Sequence, residues 1–399
     1  MRILHVTYIF PPKAIVADGI TRVVYNQTKA LAKMGHDVTV YTSNALDLHS
    51  KGRIKINKFP DNIEGVKVRY FPYLLRYGTI FFTPSMFHSI RDDIKRFDVI
   101  HIHDARSIQC AIATYYAGLF NIPIVFQPHG SFISPLPSGR LRRLLRLFAD
   151  KLYAEKVIEK ISKIVTLSRM EADQYRRMGV PEEKIAIIPN GIDLSEYAKL
   201  PPKGCFKKKF GIPEDRKIIL YLGRIHRTKG IDFLVRAYAH LINEMNYRDT
   251  VLVIAGPDDG YLKEVQELTN SLGVSKHVLF TGPLYGWNKL EAYIDSEFYV
   301  LPSRYETFPM TVLEAYACIK PVIASEVGGL KDLVMNGETG LLFELGNVKQ
   351  LARSIFNLAN DNGLAKRMGL KGRKFVEGNF TIEKVVERLE KVYEEVVEG

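Results

Sequence analysis

Short apolar, β-branched runs recur along the chain at RILHVTYIF, DVTVYTS, DVIHIHD, IPIVFQPHG and KIVTLS. Each is followed by a longer stretch with apolar positions three and four apart, such as TRVVYNQTKALAKMG, which reads as helix. Strand alternating with helix is the signature of right-handed β-α-β crossovers and a parallel sheet. After PNGID and a soft KLPPKG stretch (Lys199 to Gly204) the pattern restarts with KIILYLGR, TVLVIAGP, HVLFTGP, EFYVLPS and PVIAS. The Pro-Pro-Lys-Gly stretch is the expected linker. The pattern therefore predicts an α/β protein of two Rossmann-like, doubly wound domains facing a central cleft. Residues 1–198 would form the first and 199–380 the second, with ligand sites beyond the carboxyl ends of the strands. The last segment, TIEKVVERLEKVYEEVV, reads as an amphipathic helix with Val385, Leu389, Val392 and Val396 on one side.

Composition supports a globular chain. Of its 399 residues 46% are hydrophobic and 25% charged, enough apolar surface for a real core and too much for disorder. Cys110, Cys205 and Cys318 are odd in number and widely spaced, which argues against a disulfide framework or zinc ribbon and suits a reducing interior. The N-terminal MRILHVTYIFPP ends at two prolines with no small-residue cleavage site, so it reads as a strand and not as a signal peptide. No run reaches the roughly 18 apolar residues of a membrane span. The expected location is cytoplasmic, with peripheral attachment to the cytoplasmic membrane face left open.

The net charge of +12 is unevenly distributed. Residues 1–190 hold 28 Lys and Arg against 16 Asp and Glu, and residues 191–399 hold 28 against 28. The whole excess lies in the first half, which suggests an anionic partner there: a membrane surface, a phosphate-bearing acceptor or a nucleic acid. Within that half, RLRRLLRLFADKLYAEK (Arg140 to Lys156) sets Leu141, Leu144, Leu145, Phe148 and Leu152 on one stripe. Arg140, Arg142, Arg143 and Arg146 flank it. The stripe suits a helix at an anionic membrane surface, or equally one packed on its own sheet with snorkelling arginines.

Several chemistries are absent. There is no Gly-x-Gly-x-x-Gly, P-loop or Gly-x-Ser-x-Gly elbow, and no Asp-x-Asp to hold a metal against a diphosphate. His101 and His103 share a strand face beside Asp104 but read as structural residues more readily than as metal ligands. Three constellations remain. Gly19 precedes a helix just after the first strand, where backbone N–H groups and the helix dipole bind phosphate. In GRIHRTKG, Arg224 and Lys229 follow directly on a strand, as a fork and a point charge able to neutralise a diphosphate leaving group. In SRYETFPMTVLEAYACIKPVIAS, Glu306 lies just before a helix and Glu314 within it. Eight residues of helix rise about 12 Å, beyond the about 5–9.5 Å between paired glycosidase carboxylates. The two therefore suit separate hydrogen-bonding tasks at one ligand.

Arg224, Lys229 and Glu306-x7-Glu314, with PNGID before the second domain and EVGGLKDLV after, resemble glycosyltransferase family 4. These are retaining, nucleotide-sugar-dependent enzymes of the GT-B fold, and the resemblance covers nearly the whole chain. It implies that the first domain serves the acceptor and the second binds the donor, with a helix over 381–399 crossing back to the first. Arg224 and Lys229 would hold the donor diphosphate, helped by the amides after Gly19. Glu314 would accept from the ribose hydroxyls, Glu306 from hydroxyls of the transferred sugar, and Leu284 would lie near the base. His129, in IVFQPHG, matches the family's active-site histidine, so His129, Glu306, Arg224 and Lys229 become the expected catalytic set. Phe308 belongs to the same motif. The family usually has Gly where this chain has Pro309, which has no N–H; donation then falls to Met310 and Thr311. The paired glycines common in the first loop are reduced to Asp18-Gly19.

The resemblance also implies retention. No metal-binding motif is apparent in the sequence and the two cations could neutralise the leaving group by themselves, so no metal or cofactor is expected. The acceptor would be a hydroxyl on a glycan or a lipid-linked molecule. A sugar-nucleotide epimerase or a phosphorylase on the same fold is the alternative among enzymes. A basic nucleic-acid-binding protein is the alternative of another class, but no recognition-helix, RNP or OB pattern accompanies the charge, and no nucleic-acid partner is expected.

Overall fold

The computed structural model describes residues 1–10, 19–46, 52–54, 61–77, 80–104, 107–130 and 158–399. The first ten strands are β1 (Arg2–Val6), β2 (Asp37–Ser43), β3 (Asn62–Ile63), β4 (Val66–Phe71), β5 (Leu75–Tyr77), β6 (Ile80–Phe82), β7 (Val99–His103), β8 (Ile124–Gln127), β9 (Lys163–Thr166) and β10 (Ile185–Ile187). Apart from the β5–β6 hairpin they form one sheet, ordered β10-β9-β8-β7-β1-β2-β4-β3. All its pairings are parallel except β3 with β4. The second sheet comprises β11 (Lys217–Leu222), β12 (Thr250–Ala255), β13 (Val278–Gly282), β14 (Ser296–Leu301), β15 (Val322–Ser325) and β16 (Gly340–Phe343). It is wholly parallel, in the order β13-β12-β11-β14-β15-β16.

Both orders reverse beside the first strand of the sheet, between β1 and β7 and between β11 and β14. At such a reversal successive crossovers leave on opposite faces, so the loops beyond the carboxyl ends part and open a crevice. Strand alternation sorts the core of the first unit. Ile3 packs with Val38, Val99, Val125 and the terminal helix Ile382–Glu398, through Val385, Leu389 and Val392. Leu4 and Val6 face the other way, onto Ile100, Ile102 and Phe126.

Contacts divide the chain into Met1–Gly191 with Ile382–Gly399, and Ile192–Thr381. The expected division at 198/199 and the expected linker over KLPPKG therefore shift: the chain changes unit at Gly191/Ile192. Ile192 donates its N–H to Phe380 O at 2.8 Å and bridges Thr381. The Asp295 carboxylate accepts from the Gly204 and Lys207 amides at 2.5 and 3.0 Å, which ties the Pro-Pro-Lys-Gly stretch into the second unit. The glycine of PNGID has a packing reason, since a Cβ on Gly191 would lie 2.8 Å from Ile382 Cα. The Arg140–Lys156 stretch lies outside the described residues. Among those described, no helix is long and apolar enough to cross a membrane.

Candidate functional site

β11 and β14 are neighbours on either side of the order reversal, so the loops that follow them emerge side by side. Arg224 leaves the end of β11, and Lys229 ends a short 3-10 turn, Arg227–Lys229. Next comes Gly230, with φ +64° and a position where a Cβ would lie 2.0 Å from Pro302 O. Only glycine lets the loop after β11 rest on the backbone after β14. That approach brings Lys229 Nζ to Glu306 Oε1 at 2.6 Å, where Ser303 Oγ also donates at 2.6 Å. Both side chains are largely buried. Both bonds fall on one oxygen, and Glu306 Oε2 has no protein partner among the described residues. Arg224 is more than half exposed and donates to Asp259 at 2.7 Å. A solvated pair of this kind contributes little and is readily exchanged for another anion.

Glu314 lies in the helix Met310–Ala317 and is buried. Lys289 Nζ donates to its Oε1 at 2.6 Å and Tyr293 OH to its Oε2 at 3.3 Å. Neither glutamate is a surface residue or a helix cap. The N-cap position is Pro309, which makes no side-chain capping bond, so the first turn opens with Met310 and Thr311. Tyr299 OH donates to Thr311 Oγ1 at 2.9 Å and fixes that turn against β14. Phe308 is buried against Phe380, ring centroids 5.9 Å apart. Leu284 is half-buried just beyond β13.

The first unit holds the other expected residues. His129 follows β8 in the left-handed region, φ +51°, and Gly130 continues there at +76°. Glu171 secures this turn from the helix Arg169–Arg177: Gly130 N and Leu167 N each donate to one of its oxygens at 2.7 Å. Burial pushes the Glu171 carboxyl up to about 7. The His129 ring meets His103, Nε2 to Nδ1 at 3.0 Å, and burial lowers His129 to about 3. Gly19 opens the helix Gly19–Lys33. Among the described residues, a Cβ there would meet nothing within 4 Å. Asp18 and the loop before it lie outside the described residues.

Arg224, Lys229, Leu284, Glu306, Phe308, Met310, Thr311 and Glu314 thus gather at the carboxyl ends of β11, β13 and β14 in the second unit. His129 and Gly19 belong to the first unit. Reading the sequence missed Lys289, Ser303, Asp259 and Glu171. Only Ser303 stood in a quoted motif; the other three earn their places through contacts distant in sequence.

Two family models match the chain in succession: "Glycosyltransferase Family 4" over residues 17–196 and "Glycosyl transferases group 1" over residues 203–375. The chain belongs to glycosyltransferase family 4. Its relatives in that family include an N-acetyl-alpha-D-glucosaminyl L-malate synthase of Bacillus anthracis, 28% identical over 92% of each chain. Another is an uncharacterised glycosyltransferase of Methanocaldococcus jannaschii, 27% identical over 100% of this chain and 99% of that one. Among solved structures, the sucrose-phosphate synthase of Thermosynechococcus elongatus superimposes with a TM-score of 0.74 at 23% identity, covering 99% of this chain and 98% of that one. HepE of Anabaena, in complex with UDP-glucose, gives 0.77 at 18% identity, covering 99% and 100%. The fold is GT-B and the protein is a glycosyltransferase.

Proposed function

We propose that this family 4 enzyme is a retaining hexosyltransferase that takes its sugar from a nucleotide diphosphate without a metal. The observation that carries the reading is the meeting of Lys229 with Glu306 beside Arg224 at the β11/β14 reversal. Breaking the anomeric bond develops negative charge on the departing diphosphate and positive charge on the sugar. Preorganised cations aimed at the leaving oxygens are then the main catalytic contribution. Arg224 supplies a bidentate fork and Lys229 a point charge. Met310 and Thr311 add the N–H groups that open a helix, and Gly19 offers the same in the first unit.

Glu306 would accept from hydroxyls of the transferred sugar through the oxygen that Lys229 and Ser303 leave unused. Glu314, oriented by Lys289 and Tyr293, would accept from the ribose, while Leu284 and Phe308 contribute apolar walls toward the base and sugar. His129 would sit by the sugar near the reacting carbon. No residue of the set is a poised nucleophile, which favours front-face attack by the acceptor hydroxyl over a glycosyl-enzyme. The basic first half favours a lipid-linked or otherwise anionic acceptor, and with it attachment to an anionic membrane surface through Arg140–Lys156. UDP sugars are the first donors to try, because HepE is described with UDP-glucose. A thermal-shift panel of UDP, GDP and ADP sugars in EDTA tests this. The reading predicts stabilisation by one nucleotide class, followed by transfer with the anomeric configuration kept. Inversion, or turnover only after a divalent metal is restored, would contradict it.

A further inference from the structure

Beneath His129 lies a row of imidazoles with no task in sugar transfer as described. His5 on β1 and His101 and His103 on β7 are fully buried, at the order reversal of the first sheet, with His5 in register beside His101. His103 faces two partners at once. Its Nδ1 lies 3.0 Å from His129 Nε2 and its Nε2 lies 2.8 Å from His5 Nδ1. The His5 and His103 rings are tilted by only 13° with centroids 5.1 Å apart; His103 and His129 by 23° at 5.3 Å. Those are the dispositions of rings joined edge to edge by N–H···N bonds. Burial lowers all of these imidazoles, His5 and His129 to about 3, so each stays neutral near pH 7.

A neutral imidazole carries one N–H and one bare nitrogen. The His5, His103 and His129 rings therefore hold three protons. Two are needed in the two ring-to-ring bonds, and the third must sit at one end, on His5 Nε2 or on His129 Nδ1. Both end atoms are buried without a partner among the described residues. If the third proton is on His129 Nδ1, both bonds point from His5 toward His129. If it is on His5 Nε2, both point the other way and His129 Nδ1 is an acceptor. No intermediate arrangement satisfies both bonds.

We propose that His103 and His5 are positioning residues for His129, forming an imidazole relay that locks its ring and sets whether its Nδ1 donates or accepts. The proposal rests on the reading above in which His129 sits beside the sugar. The same cluster brings one nitrogen each from His5, His101 and His103 within 4.8 Å of one another, which invites a metal. The facing nitrogens of His5 and His103 already account for each other at 2.8 Å, whereas an ion would need both lone pairs.

Two-bond 1H–15N spectra of histidine-labelled full-length protein report the tautomer of each ring. His5→Leu removes the far end of the relay, which has no hydrogen bond to His129. It is expected to change the His129 tautomer ratio and to lower kcat by about tenfold or more with KM for the nucleotide sugar unchanged. His5→Asn, whose amide reaches the position of Nδ1, should restore both. An unaltered His129 tautomer in folded His5→Leu would overturn the relay. So would stoichiometric uptake of added Zn2+ with the ring nitrogens moving to metal-bound shifts. A changed tautomer with unchanged kcat would uphold the relay and instead refute the sugar-side role of His129.

Discussion

Lys229 and Glu306 form a largely buried pair, whereas Arg224 and Asp259 form an exposed one, and the two cations of the proposed clamp should differ accordingly. Arg224→Ala should lower activity about 10²-fold or more through lost transition-state stabilisation, with little change in melting temperature. Lys229→Ala should lose at least as much activity and also melt earlier, because Glu306 is left buried beside an absent partner. Steady-state kinetics with thermal melts separate the cases; normal turnover by Lys229→Ala would end the assignment. The glutamates divide by partner. Glu314→Gln should weaken the nucleoside diphosphate itself, since the ribose loses its acceptor. Glu306→Gln should leave that affinity nearly intact and reduce kcat. Equal effects of both on free nucleotide binding would refute this division.

At the scale of elements, the site depends on loops held in one geometry. Gly230→Ala would force a Cβ against Pro302 O from a left-handed backbone, and should reduce stability by about 1–3 kcal/mol while loosening Lys229 from Glu306. Glu171 gives the turn at His129 a pH dependence. Its folded value, about 7, exceeds the ordinary 4.5. Its favourable contribution is therefore complete below pH 4.5 and is lost as pH rises through 7. The buried histidines act in the opposite sense: their lowered values cost stability as pH falls below 6.5. The melting-temperature difference between wild type and Glu171→Gln should shift against the wild type from pH 5 to pH 8; a difference flat in pH would contradict the buried carboxyl. The strands of the repeating units were legible because each is a dense apolar run. VKVRYF, which forms β4, has charged residues on alternate positions and was overlooked, as was the short GLLF of β16. The linker misled because two prolines and a glycine signal a break in the chain but say nothing of Asp295, which holds that stretch from 91 residues away. Motif residues stood out by spacing. Lys289 and Glu171 could not, since their partners are assembled only by the fold.

For the molecule as a whole, the charge excess of the first 190 residues is a statement about partners. If it serves an anionic lipid surface, the protein should bind anionic vesicles better than neutral ones, with attraction fading within a Debye length as salt rises. Changing Arg140, Arg142, Arg143 and Arg146 together to Gln should weaken that binding and leave donor affinity intact. Vesicle binding indifferent to salt and to these arginines would favour a soluble acceptor. The central claim, a metal-free diphosphate clamp at the β11/β14 reversal, is tested most directly by calorimetric titration of UDP, GDP and ADP in EDTA. Wild type and Lys229→Ala should be titrated in parallel. The account predicts that one nucleotide binds the wild type without metal and that Lys229→Ala loses most of that affinity. No binding by any of the three without metal, or undiminished binding to Lys229→Ala, would contradict it.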